Sequence, residues 1–245
     1  MNFLATFWRS QVGKKIVMAV TGLIGVGFVI GHMIGNLQVF ESSEKINAYG
    51  RFLHHTVGME LWLIRAVLLG AVILHVVAAT QLTVQARASR PQAYAKRQPQ
   101  VSTLASRTMR FGGFLLLVFI VLHILHFTVL AFPGYQTIDP ALGSTDVYAN
   151  LVHAFRNPLW TAFYVVSMVF LGLHLYHGAW SSLRTLGAAK PSAHPLKRHI
   201  AATLAVIIWA GFTLVPLGVF FRLVADATTP TAVLAPTPTA PAVLQ

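Results

Sequence analysis

The chain has 245 residues, of which 56% are hydrophobic and only 10% are charged, and it contains no cysteine. Soluble domains carry about 25% charged residues, so this composition indicates an integral membrane protein and leaves no room for a separate soluble catalytic domain. The lack of cysteine excludes disulfides, iron–sulfur ligation and covalent attachment of a c-type haem, and the net charge of +12 does not predict nucleic-acid binding, because the basic residues lie between apolar segments.

A short lead and five long apolar runs follow one another along the chain. Residues 1–15 are mildly amphipathic with a basic end, but the apolar run that follows is too long for a signal peptide, so we expect this lead to be retained. The predicted spans are 16–40, 60–84, 109–132, 158–183 and 199–223. Each exceeds the ~20 residues that cross a bilayer. The predicted fold is therefore all-α and integral to the membrane, with five transmembrane helices, the first four of which form a bundle.

The charges between the spans predict the orientation. The amino-terminal side carries 13 of the 18 basic residues, namely Arg9, Lys14, Lys15, Arg87, Arg90, Lys96, Arg97, Arg107, Arg110, Arg184, Lys190, Lys197 and Arg198. All six acidic residues fall on the opposite side or at its edge. The positive-inside rule places the amino terminus and loops 85–108 and 184–198 in the cytoplasm, and the carboxy terminus outside the cell (inner) membrane.

The chain is predicted to divide into a membrane domain, residues 1–226, and a tail, residues 227–245. The tail is rich in Pro, Thr and Ala. Such a composition cannot bury a core, so we expect the tail to be disordered on the outer side.

Four apolar spans each carry a deep histidine, and an imidazole in hydrocarbon is costly unless something binds it. Counted from the outer flank of its span, His32 lies 9 residues before Glu41, and His123 lies 10 before Pro133. These two histidines form a predicted outer pair.

The other two histidines lie deeper. His75 is 15 residues after Glu60, and His174 is 18 after Arg156. The two levels differ by about 7 residues, or ~10 Å along the membrane normal. Two bis-histidine haems stacked in a four-helix bundle require this arrangement, and such irons transfer electrons because neither has an open coordination position.

Other histidines and several glycines surround these four. His126 and His177 lie one turn beyond His123 and His174 and are shallower, so we expect them to meet propionates, quinone or water. Small residues near the ligands would leave gaps for flat macrocycles or would serve close helix packing. They are Gly27, Gly31 and Gly35 in the first span, Gly112 and Gly113 in the third, and Gly178 in the fourth.

The fourth span carries the most specific motif. It reads FYVVSMVFLGLHLYHGAWSS, with His174, Gly178 and Trp180 at F-Y…H-x3-G-x-W spacing. Three other spans carry further residues of the same family pattern. They are Thr21, Gly22 and His32 in the first span, His75 in the second, and Arg110, Gly113 and His123 in the third. Over residues 8–222 the sequence resembles the cytochrome b subunit of succinate dehydrogenases and quinol:fumarate reductases, of the single-subunit, five-helix, two-haem type.

The resemblance implies two haems b as cofactors. It places His32 and His123 on the distal haem and His75 and His174 on the proximal haem. It also places Arg156 near the distal propionates. Arg184 lies where a basic residue of the family meets the proximal propionates.

The resemblance further implies the partners and the reaction. A flavoprotein oxidises succinate, an iron–sulfur subunit passes the electrons on, and this subunit anchors both at the cytoplasmic face and delivers electrons to a quinone. Members of this type usually work with menaquinone. Loops 85–108 and 184–198 would dock the iron–sulfur subunit. Some fumarate-reducing members carry a glutamate where this chain has Gly172, which favours succinate oxidation here.

Quinone reduction needs protons, so a candidate site should include an acid or a histidine. Glu60, His54, His55 and Arg65 are the outer candidates, although Glu60 and Arg65 also suit a helix cap and an interfacial anchor. Two other functions remain open at this point. One is a cytochrome b subunit of a hydrogenase or formate dehydrogenase, and the other is a haem-free membrane anchor or transporter with histidines as a proton relay.

Overall fold

The structure, a computed structural model, describes residues 2–89, 92, 102–135, 145–188 and 195–226. The predicted tail and parts of both basic loops lie outside these residues. The α-helices are α1 (Phe3–Arg9), α2 (Gln11–Leu37), α3 (Ser43–Arg51), α4 (Met59–Ala88), α5 (Leu104–Phe127), α6 (Val147–Arg156), α7 (Pro158–Thr185) and α8 (Pro195–Phe220). A 3-10 turn, Gln38–Phe40, extends α2, and a π-helical turn, Phe52–Thr56, follows α3.

Five helices of the described residues, α2, α4, α5, α7 and α8, are long and apolar enough to cross a membrane. Many of their large apolar side chains are exposed, which is the surface that a bilayer solvates. The chain is thus a multi-pass helical membrane protein, as the composition predicts.

The prediction for the third span was wrong by five residues at each end, because α5 runs from Leu104 to Phe127. Thr103 caps its start by accepting a hydrogen bond from the backbone N–H of Ser106. Shortly after its end, Leu130 adopts a φ of 56°, a left-handed conformation that does not continue a helix. These local signals outweigh the apolar run that continues to Phe132.

The four histidine-bearing helices form a bundle with α2 and α7 at its centre. Helix α2 packs against α4 and α7, and α7 packs against α2, α5 and α8. Helix α4 therefore lies beside α2, and α5 lies beside α7. The combinations α2 with α5 and α4 with α7 lie across the two diagonals of the bundle.

The segments expected to be outer loops contain two helices, α3 and α6, which corrects the sequence interpretation. They pack with the end of α8 around a buried cluster that includes Ile46, Leu151, Phe155 and Val219. The Asn47 side chain donates to Asp146 Oδ1 at 3.0 Å and accepts the backbone N–H of Tyr148 at 3.0 Å, and so ties α3 to α6. We call this part of the molecule the α3/α6 end.

Candidate functional site

Two pairs of imidazoles face each other across the diagonals of the bundle. The ring centroids of His32 on α2 and His123 on α5 lie 5.7 Å apart. Those of His75 on α4 and His174 on α7 lie 6.0 Å apart. The structure thus brings together the histidines that the depth count pairs, and it places the first pair nearer the α3/α6 end.

The spacing of each pair suits a metal between two imidazoles. Metal–imidazole bonds of about 2 Å on each side hold the two ring centroids roughly 6 Å apart. Within the described ranges, no group of three or more His, Cys, Asp or Glu side chains is placed to hold an ion. Two imidazoles at this spacing are the protein ligands that a bis-histidine haem uses.

Local contacts orient the imidazole of His75. Its Nδ1 lies 3.0 Å from the carbonyl oxygen of Met18 and 3.3 Å from the hydroxyl of Thr21. A carbonyl can only accept, so Nδ1 carries the proton and Nε2 keeps the lone pair that binds a metal. A Cβ on Gly22 would lie 3.3 Å from Cε1 of the same ring. Thr21 and Gly22, which the sequence motif links to His32, thus position His75 instead.

The partner of His75 has a different environment. The Nδ1 atom of His174 is buried and has no hydrogen-bond partner within the described residues. A Cβ on Gly113 would lie 3.9 Å from its Cε1, so this glycine borders the ring without touching it closely. The imidazole of His174 is held by packing.

A chain of hydrogen bonds runs from the pair near the α3/α6 end toward the surface. The hydroxyl of Tyr164 lies 3.2 Å from His123 Nδ1 and 3.0 Å from His126 Nδ1. The other ring nitrogen of His126 is hydrogen-bonded to the hydroxyl of Tyr135. In one polarity of this chain, His123 Nδ1–H donates to Tyr164, Tyr164 donates to His126 Nδ1, and His126 Nε2–H donates to Tyr135. This polarity leaves a lone pair on His123 Nε2 for a metal.

His126 differs from its predicted role because it is fully buried, at 0% exposure, and two tyrosines bind both of its nitrogens. It is therefore unavailable to propionates, quinone or bulk water. Burial raises the pKa of Tyr135, which lies outside the spans, to about 12. His177 bonds through Nε2 to Ser181 Oγ at 3.2 Å. Sequence reasoning missed Tyr135 and Tyr164, although Tyr164 belongs to the F-Y motif of the fourth span.

The glycines divide into two groups. A Cβ on Gly27, Gly31 or Gly178 would meet nothing within 4 Å, so these positions border open space. A Cβ on Gly35 would lie 2.6 Å from Tyr49 Cε1, and one on Gly112 would lie 3.0 Å from Phe170 Cδ1. These last two glycines admit aromatic side chains, which fits close packing, the second of the two alternatives, at these positions.

The two arginines expected near propionates lie at opposite ends of α7. Arg156 donates to the carbonyl oxygen of Val219 at 2.6 Å and forms an ion pair with Asp226. It thus joins α6 to the end of α8. Arg184 is exposed in the last turn of α7.

The quinone candidates cluster loosely at the start of α4. Glu60, His54 and His55 are exposed, and the guanidinium of Arg65 stacks over Trp62, 4.9 Å from the ring centroid. Partial desolvation of the ring, together with the nearby positive charges of Arg65 and His55, lowers the pKa of His54. The Trp62 contact fits an interfacial anchor for Arg65.

Comparison with known families identifies the family to which the chain belongs. Residues 85–214 match the model of the succinate dehydrogenase/fumarate reductase transmembrane subunit. This segment holds α5, α6, α7 and most of α8, and therefore one histidine of each facing pair. No curated protein and no solved structure matches the chain. From its match over more than half its length, the chain belongs to the succinate dehydrogenase/fumarate reductase transmembrane subunit family.

Proposed function

We propose that this subunit holds two haems b, one between His32 and His123 and one between His75 and His174. In this role it passes electrons from an iron–sulfur subunit to a quinone. A haem with two imidazole ligands supplies reversible one-electron transfer without an open site for substrate. The observation that carries the proposal is the facing of two imidazole pairs across both diagonals of one bundle, at ~6 Å between ring centroids.

The chain's own residues support this role through the hydrogen bonds behind the ligands. Met18 fixes the tautomer of His75, and Tyr164 accepts from His123 in the polarity that frees Nε2. Open space beside Gly27, Gly31 and Gly178 supplies room for a flat group next to the rings.

The family and the charge pattern support the proposed partners and the proposed direction of electron flow. The basic loops 85–108 and 184–198 would dock the iron–sulfur subunit at the cytoplasmic face, and the flavoprotein would sit beyond it. Quinone, which we propose to be menaquinone, would react on the side of Glu60, His54, His55 and Arg65. Arg156 and Arg184 remain proposed contacts for propionates. Gly172, which lies against Trp209, leaves the bundle without an acid at that position and favours succinate oxidation.

Purification of the intact complex tests the proposal directly. Mass spectrometry should identify a flavoprotein and an iron–sulfur subunit bound to this chain, and a pyridine hemochrome assay should count two haems b per copy. A complex with both soluble subunits but no Soret absorption would refute the haem assignment and favour a haem-free anchor. Copurification with hydrogenase or formate dehydrogenase subunits would refute the proposed partners.

A further inference from the structure

A groove between α7 and α8 lies outside the histidine bundle. It has a volume of about 390 Å³ and an almost entirely apolar lining. Its walls are Val169, Gly172, Leu173 and Tyr176 from α7 and Ala202, Ala205, Val206 and Trp209 from α8. Val206 and Trp209 are exposed, so the groove opens on the lipid-facing surface of the molecule. The proposed electron transfer makes no use of it.

Small residues create the groove. Gly172 and the two alanines remove side-chain volume where α7 and α8 pack against each other, while Tyr176 and Trp209 stand on either side as larger walls. A Cβ on Gly172 would lie 3.2 Å from Trp209 Cβ, so the helices approach closely there. The apolar lining along this seam suits a hydrocarbon chain.

The distance from Arg198 to the far end of the groove matches one leaflet of a bilayer. Arg198 and Trp209 are 11 residues apart on α8, which corresponds to ~16 Å along the helix axis. Half of a ~30 Å hydrocarbon core is about 15 Å. An acyl chain that starts at the membrane surface would therefore end near Trp209, at the far end of the groove.

The surface end of the groove is positively charged. Arg198 Nε donates to the hydroxyl of Tyr176 at 2.7 Å, which holds the guanidinium directly above the apolar walls. Lys197 and His199 are exposed beside it. The sequence has no acidic residue between Asp146 and Asp226, and within the described ranges Arg198 pairs with no carboxylate. Charge complementarity therefore favours an anionic headgroup at this position.

We infer that the groove between α7 and α8 binds one acyl chain of an anionic phospholipid, whose phosphate lies at Arg198. The lipid belongs to the leaflet on the amino-terminal side. The acyl chain of a zwitterionic lipid would contact the apolar walls equally well, but its headgroup would gain less electrostatic attraction from Arg198. This site depends on the membrane location of α7 and α8 and stands independently of the haem proposal; it assigns Arg198, the last residue of loop 184–198, to a lipid and leaves the rest of that loop to the iron–sulfur subunit.

Lipid retention by the intact complex tests the inference. The purified complex is stripped with detergent, exposed to an equal mixture of phosphatidylglycerol and phosphatidylcholine, and examined by native mass spectrometry. The wild-type complex should retain phosphatidylglycerol in preference. Arg198→Gln should weaken this retention about fivefold, the factor that corresponds to ~1 kcal/mol for one basic residue at a membrane surface.

Three further substitutions separate the effect of the groove from the effect of the charge. Ala202→Phe should abolish retention of either lipid, because the new ring occupies the groove near its mouth. Thr203→Phe places the same ring on an exposed neighbouring position of α8, and Lys15→Gln removes an exposed charge from α2 on the same side of the membrane. Both controls should retain lipid as the wild type does.

The same spectra contain the outcomes that would overturn the inference. They are equal retention of the two lipids by the wild type, or loss of phosphatidylglycerol in Lys15→Gln as large as in Arg198→Gln. The mass of the assembled complex reports whether each variant folds and assembles. Tyr176→Phe provides a milder variant, which keeps the wall but releases Arg198, and it should also reduce the preference for phosphatidylglycerol.

Discussion

Replacing Tyr164 by phenylalanine removes one hydroxyl group and should disturb two histidines at once. The hydroxyl is shared by His123 Nδ1 at 3.2 Å and His126 Nδ1 at 3.0 Å. Phenylalanine keeps the ring, so the packing around the side chain changes little. The substitution therefore isolates the hydrogen bonds.

The expected loss of stability follows from the burial of His126. Its ring is fully buried, so Nδ1 cannot find water when the hydroxyl is removed. An unsatisfied buried polar group costs about 1–3 kcal/mol, and His123, which is only partly buried, adds less. We expect Tyr164→Phe to lower the free energy of unfolding by about 2 kcal/mol.

The same change should alter one haem and leave the other as it is. Loss of the acceptor for Nδ1–H makes His123 a weaker donor to iron, which destabilises the ferric state and raises the midpoint potential. A hydrogen bond worth about 1 kcal/mol limits the rise to about 40 mV for a one-electron couple. Redox titration followed by optical and electron paramagnetic resonance spectra measures both haems separately.

Tyr148→Phe is the matched control, because it also removes a hydroxyl that forms a hydrogen bond, here to the carbonyl oxygen of Ala225 at 2.7 Å. It should cost about 1 kcal/mol and leave both potentials unchanged. Wild-type stability in Tyr164→Phe would refute the shared hydrogen bond. Reduced stability with two unchanged haem signals would instead refute the placement of a haem on His123.

Substitutions at three further positions test other contacts. His174→Ala should lower the haem content from about two per chain to about one by pyridine hemochrome, whereas retention of both would contradict its assignment. Gly22→Leu should cause a similar loss through His75, and Gly22→Ala a smaller one, because a Cβ already lies 3.3 Å from the His75 ring; equal haem binding in both variants would show that the ring has room to move. Asp226→Asn should lower the free energy of unfolding by less than ~1 kcal/mol, because the Asp226 side chain is 65% exposed in its ion pair with Arg156. The thermal midpoint should therefore fall only slightly. A large loss of stability that high salt does not reduce would contradict this reasoning.

The sequence predicted the depth of each deep histidine in the membrane but not the hydrogen bonds that orient its ring. A residue count along an apolar run measures depth, since every helical residue rises by about 1.5 Å. This count was sufficient to pair His32 with His123 and His75 with His174. It contains no information about the rotation of one helix relative to another. The contacts of Thr21 with His75 and of Tyr164 with His123 therefore could not be predicted, because each joins two helices.

Helices α3 and α6 were not predicted from the sequence. Both are short helices between spans, and their positions depend on side chains distant in sequence, such as Asn47 with Asp146. An isolated helix of about 10 residues is marginal in water. Tertiary packing at the end of the bundle therefore decides their structure, and hydropathy does not detect it.

The cluster at the α3/α6 end has a consequence for how the subunit matures. Buried apolar contacts concentrate there and along the seam of α2, α7 and α8, whereas α4 and α5 bury few side chains. The newly inserted chain can therefore acquire a firm scaffold at this end and along this seam without help from the two haems proposed above.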